Sequence, residues 1–220
     1  MITIKEGKIM VKVSKGVDET VLPIRDKVDR DAFKRYWVDQ FKDKPKSSLG
    51  LRNYVIFQLG IVTGLRASDL TRLKYTQVYD EYGKVRDRIV NQQDKKTGKK
   101  NMYLTLKPIT ELLEKYYQWY ENYYSENTFL FPSSRTNQQE PIKPHGLYML
   151  LTRASKAINY KEPIGTHSLR KTFGYLAYSQ TGNLQYVQKR LNHSSPETTL
   201  RYIGLDERTM NDITNSINFN

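Results

Sequence analysis

Apolar residues in this chain recur mostly at spacings of three and four, and that periodicity commits it to packed helices. Phe33, Trp37 and Phe41 stand four apart, and Val55, Ile56, Leu59 and Val62 line a longer segment that stops at Thr63-Gly64. An apolar stripe of this kind lies on one face of a 3.6-residue helix and must be buried against another element. Strand-like alternation is confined to two places. Ile2 to Val13 alternates around Gly7, and Ile89, Val90, Met102, Leu104 and Leu106 flank a polar stretch. The class is therefore α+β, mainly α, with a small antiparallel sheet.

Capping signals divide the helical part. Asp29 can cap the first helix, Ser47 or Ser48 the second, Ser68 a short third, and Thr110 a helix rich in aromatics, from Tyr116 to Tyr124. Further helices are expected over about Leu147–Ile158, Ser168–Gln180, Leu184–Leu191 and Ser195–Ile203. Asn183 and Ser194 or Ser195 serve as caps there, and Pro196 suits a first turn. A last helix over Asp206–Ile217 carries Met210, Ile213 and Ile217 as a stripe that needs a surface to cover it, on its own core or on a neighbouring copy. Residues 1–23 read as an N-terminal β-hairpin extension and 24–220 as the main domain.

The formal net charge of +13 on 220 residues points to a polyanionic partner. No apolar run approaches the roughly 18–20 residues of a membrane span, and Met1–Lys12 lacks the continuous apolar stretch of a signal peptide. Nucleic acid is then the favoured partner over a membrane. The chain has no cysteine, so disulfides, thiolate nucleophiles and cysteine-based zinc sites are excluded, and a cytoplasmic setting fits.

Four segments carry candidate chemistry. Thr63-Gly64-Leu65-Arg66-Ala67-Ser68-Asp69-Leu70 places an arginine after a glycine turn, at a helix start. Thr166-His167-Ser168-Leu169-Arg170 puts His and Arg three apart, on one helical face. Leu191-Asn192-His193-Ser194-Ser195 leads through Thr198 and Thr199 to Arg201-Tyr202. Asp94 to Lys100 holds Lys95, Lys96, Lys99 and Lys100 around Gly98 at the tip between two strands. Each has a plain reading alone: a surface arginine near a cap, a solvated helix face, one of 17 tyrosines, an exposed basic loop.

Taken in order, the four segments resemble the tyrosine recombinase (phage integrase) family. That family's pattern has an arginine in T-G-L-R-x-S-[DE]-L, a lysine on a β-hairpin tip, H-x-L-R, and G-H-[ST]-x-x-x-T-x-x-Y. Arg66 with Asp69, Lys96, His167 with Arg170, and His193 with Tyr202 match it, and the resemblance runs from about Ile24 to Tyr202. One departure is Asn192 in place of glycine, which the turn can accept because asparagine tolerates left-handed backbone angles. Another is that only 65 residues precede Arg66, so the resemblance covers a catalytic domain without the family's separate DNA-clamping domain.

The chemistry of phosphodiester attack suits these residues. Arg66 and Arg170 offer planar forks of donors to the nonbridging oxygens of a pentacoordinate transition state. A metal or other cofactor is then unnecessary. Tyr202 is the candidate nucleophile, His167 assists its deprotonation, and His193 donates to a nonbridging oxygen. The resemblance implies that Lys96 protonates the 5′ leaving oxygen, that Asp69 orients Arg66 or its helix start, and that the product is a 3′-phosphotyrosine. Lys95, Lys99, Lys100, Lys171 and Arg201 are candidate DNA contacts. Double-stranded DNA and further copies of the chain are the expected partners, with a helper protein or clamp domain possible. A type IB topoisomerase-like activity and a catalytically silent DNA-binding protein are the alternatives.

Overall fold

The computed structural model describes residues 2–5, 8–11, 21–43, 49–90, 104–124, 128–133 and 140–205. Two four-residue strands, β1 (Ile2–Lys5) and β2 (Lys8–Val11), pair antiparallel with Ile2 opposite Val11. The helices are α1 (Lys27–Asp43), α2 (Gly50–Thr63), α3 (Ala67–Thr71), α4 (Tyr75–Val78), α5 (Thr110–Tyr124), α6 (Pro144–Ala157), α7 (Thr166–Thr181), α8 (Leu184–Leu191) and α9 (Pro196–Tyr202). No helix among the described residues is long and apolar enough to cross a membrane.

The architecture is mainly helical, as the apolar periodicity requires. The sheet expected between Val85 and Leu106 does not appear as strands among the described residues. Only isolated antiparallel bridges occur there, Tyr79 with Val85 and Arg88 with Thr105, and residues 91–103 lie outside the description. Several helix starts also differ from expectation. α1 begins at Lys27, with the Asp26 carboxylate accepting from the Val28 amide at 2.8 Å, so Asp29 sits inside the first turn. α2 follows Leu49, and Ser47 and Ser48 are outside the described residues. Arg66, not Ser68, occupies the cap position of α3. The Asn183 and Ser195 caps form as expected: their side chains accept from the amides of Tyr186 (2.8 Å) and Thr198 (3.1 Å).

α2 is the axis of the core. Leu51, Tyr54, Val55, Ile56, Phe57, Leu59 and Ile61 are all buried, so the helix is apolar nearly all round and is covered by α1, α3, α5 and α7. Phe33 and Trp37 of α1 pack their rings against each other and against Phe57 of α2. Three tyrosines of the α4–α5 region are core elements whose hydroxyls are already committed. Tyr79 donates to the Leu113 carbonyl, Tyr116 to Leu130 and Tyr120 to Phe129. A second, smaller apolar cluster of Phe173, Val187, Leu191 and Ile203 unites α7, α8 and α9.

α7 belongs to both clusters, with Leu169 in the first and Phe173 in the second. Between them Ser168, Arg170, Lys171 and Thr172 are all buried. Such a run of buried polar groups persists only where each is hydrogen-bonded. An extended strap ahead of α1 supplies part of that bonding. The Ile24 amide donates to Thr172 Oγ1 (2.8 Å), Lys171 Nζ donates to the Val21 carbonyl (2.7 Å), and the Leu22 amide donates to the Pro163 carbonyl (3.1 Å). Residues on both sides of the expected 23/24 boundary share this packing.

Gly64 ends α2 in the left-handed region, with φ of 62°, and a Cβ there would fall 2.4 Å from the Phe173 ring. Left-handed strain of about 1–3 kcal/mol adds to overpacking of similar size. Gly64→Ala is therefore expected to lose about 2–4 kcal/mol, measured as a lower urea midpoint at unchanged m-value. A midpoint equal to wild type would mean that the turn relaxes freely.

Candidate active site

Arg170 on α7 is where two distant turns meet. Its guanidinium donates to the carbonyl of Gly64, 106 positions earlier, and to that of Leu191 at 2.6 Å. The first carbonyl belongs to the turn before Arg66, the second to the turn before His193. One planar fork thus fixes the spacing of both motif turns around α7. Burial draws the Arg170 pKa down to about 10; Tyr202 opposes that shift, Arg66 adds to it, and Asp69 opposes it. The guanidinium stays charged at neutral pH.

Tyr202 ends α9 half-buried. His167 Nδ1 lies 3.2 Å from its hydroxyl, and Arg170 hydrogen-bonds the same side chain. The His193 ring meets the Tyr202 ring edge-on, with centroids 4.8 Å apart. The turn before α9 sets this geometry. Asn192 adopts φ 53° and ψ 44°, the left-handed conformation that asparagine tolerates, and the His193 amide then donates to the Gln188 carbonyl at 3.0 Å. Asparagine in place of glycine has therefore left the turn intact.

His193 Nδ1 is 3.2 Å from Thr199 Oγ1, whose hydroxyl donates to the Ser195 carbonyl at 3.0 Å. With its one hydrogen used there, Thr199 offers a lone pair to His193, so Nδ1 carries the ring proton and Nε2 is left as an acceptor. Burial, then Arg170 and Arg66, push the His193 pKa down to about 4, so the ring is neutral at pH 7. Thr199 is fully buried and its role was not singled out in the sequence. Its place three residues before Tyr202, on the same helical face, was the available signal.

Arg66 is half-buried at the start of α3. Asp69 is 6% exposed, its amide donates to the Arg66 carbonyl at 2.9 Å, and its charge opposes the burial of Arg170. Arg66, His167, Arg170, His193 and Tyr202 thus converge on one side of the α7–α9 cluster.

The model of the phage integrase family matches residues 37–208. The chain belongs to this family. It is 37% identical to the probable integrase/recombinase YoeC of Bacillus subtilis (strain 168), over 86% of this chain and 92% of that one. It is 24% identical to the tyrosine recombinase XerD of Listeria innocua, covering 75% of this chain and 54% of that protein. The fold resembles that of a XerH site-specific recombinase in a post-cleavage complex, with a TM-score of 0.61, 22% identity, and coverage of 90% of this chain and 53% of that one. It also resembles XerA recombinase, with a TM-score of 0.60, 19% identity, and coverage of 90% and 68%. The chain thus spans nearly all of YoeC but about half of XerD and XerH.

Within this phage integrase chain the remaining site candidates fall into three groups. Arg201 is exposed beside Tyr202. Lys95, Lys96, Lys99 and Lys100 lie outside the described residues, as does the segment 206–217. Lys171 was expected at DNA, yet it is 3% exposed and its ammonium is turned inward to the Val21 carbonyl, 5.4 Å from the centroid of the Tyr202 ring.

The depressed His193 pKa has a consequence for stability. Unfolded, the ring titrates near 6.5; folded, near 4. Between those values the unfolded chain binds the extra proton, so the His193 contribution to stability falls as pH drops from 6.5 to 4 and changes no further below that. Urea midpoints of wild type and His193→Gln, taken from pH 7 to pH 4, check this. Wild type should lose ground to the variant as pH falls. A constant difference would mean that the folded ring titrates normally.

Proposed function

We propose that the chain is a site-specific DNA recombinase that cuts and rejoins strands through Tyr202. The observation that carries this reading is the convergence of His167 and Arg170 on one tyrosine hydroxyl, with Arg66 and His193 beside it. No carboxylate-rich metal site is called on, and the charge of the transition state falls to two guanidiniums.

In the proposed step, DNA phosphate enters beside Arg66 and Arg170, which hold its nonbridging oxygens. His167 Nδ1 accepts the Tyr202 proton as the oxygen attacks phosphorus. The bond to the 5′ oxygen breaks, Lys96 supplies its proton, and a 3′-phosphotyrosine remains. Attack by a 5′ hydroxyl reverses the step, so no ATP is consumed. His193 is neutral before DNA binds, and an incoming anion favours its protonated form. It then donates from Nε2 to a nonbridging oxygen while Nδ1 stays on Thr199. Asp69 steadies the arginine pair from within the core. The basic segment around Lys95, Lys99 and Lys100, and Arg201, meet flanking phosphates.

The similar fold of XerH site-specific recombinase, solved bound to its difH substrate, supports DNA as the substrate, and the similar fold of a lambda integrase dimer bound to a core site supports a multimeric assembly on it. Covalent capture tests the reading. Nicked duplexes tiled across the DNA flanking the coding sequence are incubated with the protein in excess EDTA and run on a denaturing gel. A protein–DNA adduct at a discrete position is the expected result. Cleavage that requires added Mg²⁺ would overturn the mechanism.

A further inference from the structure

We infer that Lys171 is a positioning residue for the nucleophile: its buried ammonium, held on the Val21 carbonyl, seats the Tyr202 ring and steadies the negative charge that develops on it during attack. This inference rests on the reading of Tyr202 as nucleophile.

Three observations carry it. Lys171 is 3% exposed, an expensive place for an ammonium, and an apolar side chain could fill the same volume. Its Nζ lies 5.4 Å from the centroid of the Tyr202 ring, within the range at which a cation is attracted to an aromatic face. That attraction is stronger for a ring carrying phenolate charge than for a neutral phenol. Finally, the Val21 carbonyl holds the ammonium at 2.7 Å, and the strap bearing that carbonyl is itself tied down. Ile24 bonds Thr172 in α7, and Arg25 donates to the Gly204 carbonyl (2.6 Å), just beyond Tyr202. The strap from 21 to 25 therefore grips both the helix beneath the nucleophile and the chain that follows it.

Lys171 does not act alone on Tyr202. His167 and Arg170 face the hydroxyl from α7, His193 faces the ring from the turn before α9, and Arg66 and Asp69 border the site from α3. Arg25 stands at Gly204 and at the Tyr175 ring. Arg170 lies on the oxygen side and Arg25 beyond the helix end, whereas Lys171 stands against the ring. Its removal should shift the pH dependence of attack without emptying the phosphate site.

The experiment is single-turnover cleavage of a nicked duplex at saturating DNA, followed as covalent adduct from pH 6.5 to 10. It compares wild type, Lys171→Gln, Lys171→Met, Lys171→Arg and Tyr202→Phe. Glutamine keeps a donor for the Val21 carbonyl but no charge. The neutral variants should bind DNA with unchanged Kd and cleave about tenfold more slowly at pH 7, with the rising limb of the pH profile moved up by about one unit. Arginine should restore part of the rate. Neutral variants with the wild-type rate and profile overturn the inference, as does a rate loss with an unshifted profile, which marks a purely structural role. Should neither neutral variant fold, the ultraviolet titration difference between wild type and Tyr202→Phe decides. A Tyr202 midpoint below the ordinary tyrosine value of about 10 agrees with the inference, and one at or above it overturns it. If wild type gives no adduct, or Tyr202→Phe still gives one, the nucleophile assignment fails before Lys171 is reached.

Discussion

Tyr202→Phe should fold, bind DNA as wild type does, and form no covalent adduct at all. The ring keeps its edge-on contact with His193 and its place against the Phe173–Val187–Leu191–Ile203 cluster, because phenylalanine has the same outline. The loss is one hydroxyl and its hydrogen bonds to His167 and Arg170. A single hydrogen bond of this kind contributes about 0.5–1.5 kcal/mol to stability, too little to unfold a domain with so large a core. The rate effect has no such limit, since the attacking atom is gone. Gel shift on intact duplex measures binding, and a denaturing gel on nicked duplex measures the adduct. An adduct that persists in the variant would assign attack to another residue. The buried Tyr79, Tyr116 and Tyr120 are poor candidates, because their hydroxyls are committed to backbone carbonyls and burial pushes the Tyr79 hydroxyl well above its usual pKa. Tyr178 on α7 and Tyr186 on α8 would be the next to test.

The parts of this molecule legible in its sequence are those where a local signal and the tertiary context agree. α8 runs from Leu184 to Leu191, as its Asn183 cap and apolar spacing require, and the Asn192 turn takes the backbone that its side chain permits. α7 and α9 differ from expectation by a residue or two at their ends, where capping residues compete. The start of α1 was misjudged because Asp26 and Asp29 are equally good caps by composition, and only the packing of Ile24 against the domain decides between them. Lys171 shows a deeper limit. Beside Arg170 in a basic chain, it reads as one more phosphate contact. Its burial depends on a strap 150 positions away that local periodicity cannot register. The same holds for Arg170, whose bonds to Gly64 and Leu191 turn three weak motifs into one site.

That dual role makes Arg170 the second position where a large effect is expected. Arg170→Ala should slow cleavage at saturating DNA by about 10²–10³-fold, the usual cost of removing one preorganised donor to developing charge. It should also destabilise the DNA-free protein, which Tyr202→Phe should not. The Gly64 and Leu191 carbonyls would each lose their guanidinium partner, and the buried Asp69 carboxylate would lose a neighbouring cation. Leaving such groups without partners costs about 1–3 kcal/mol apiece, so a total of about 2–5 kcal/mol is reasonable after relaxation. Arg170→Lys separates the two roles. One ammonium supplies the charge but lacks the planar fork that reaches both carbonyls, so stability should recover less than the phosphate interaction does. His193 gives an independent readout. Arg170 is the second cause of its depressed pKa, after burial, so Arg170→Ala should let the ring titrate closer to its ordinary value while Arg170→Lys keeps it low. Proton NMR of the imidazole across pH 4 to 7 follows that directly, without DNA. A variant that cleaves within tenfold of wild type and leaves His193 where it was would show that Arg170 is only a strut between turns. The transition-state charge would then rest on Arg66 and the lysines of the 94–100 segment.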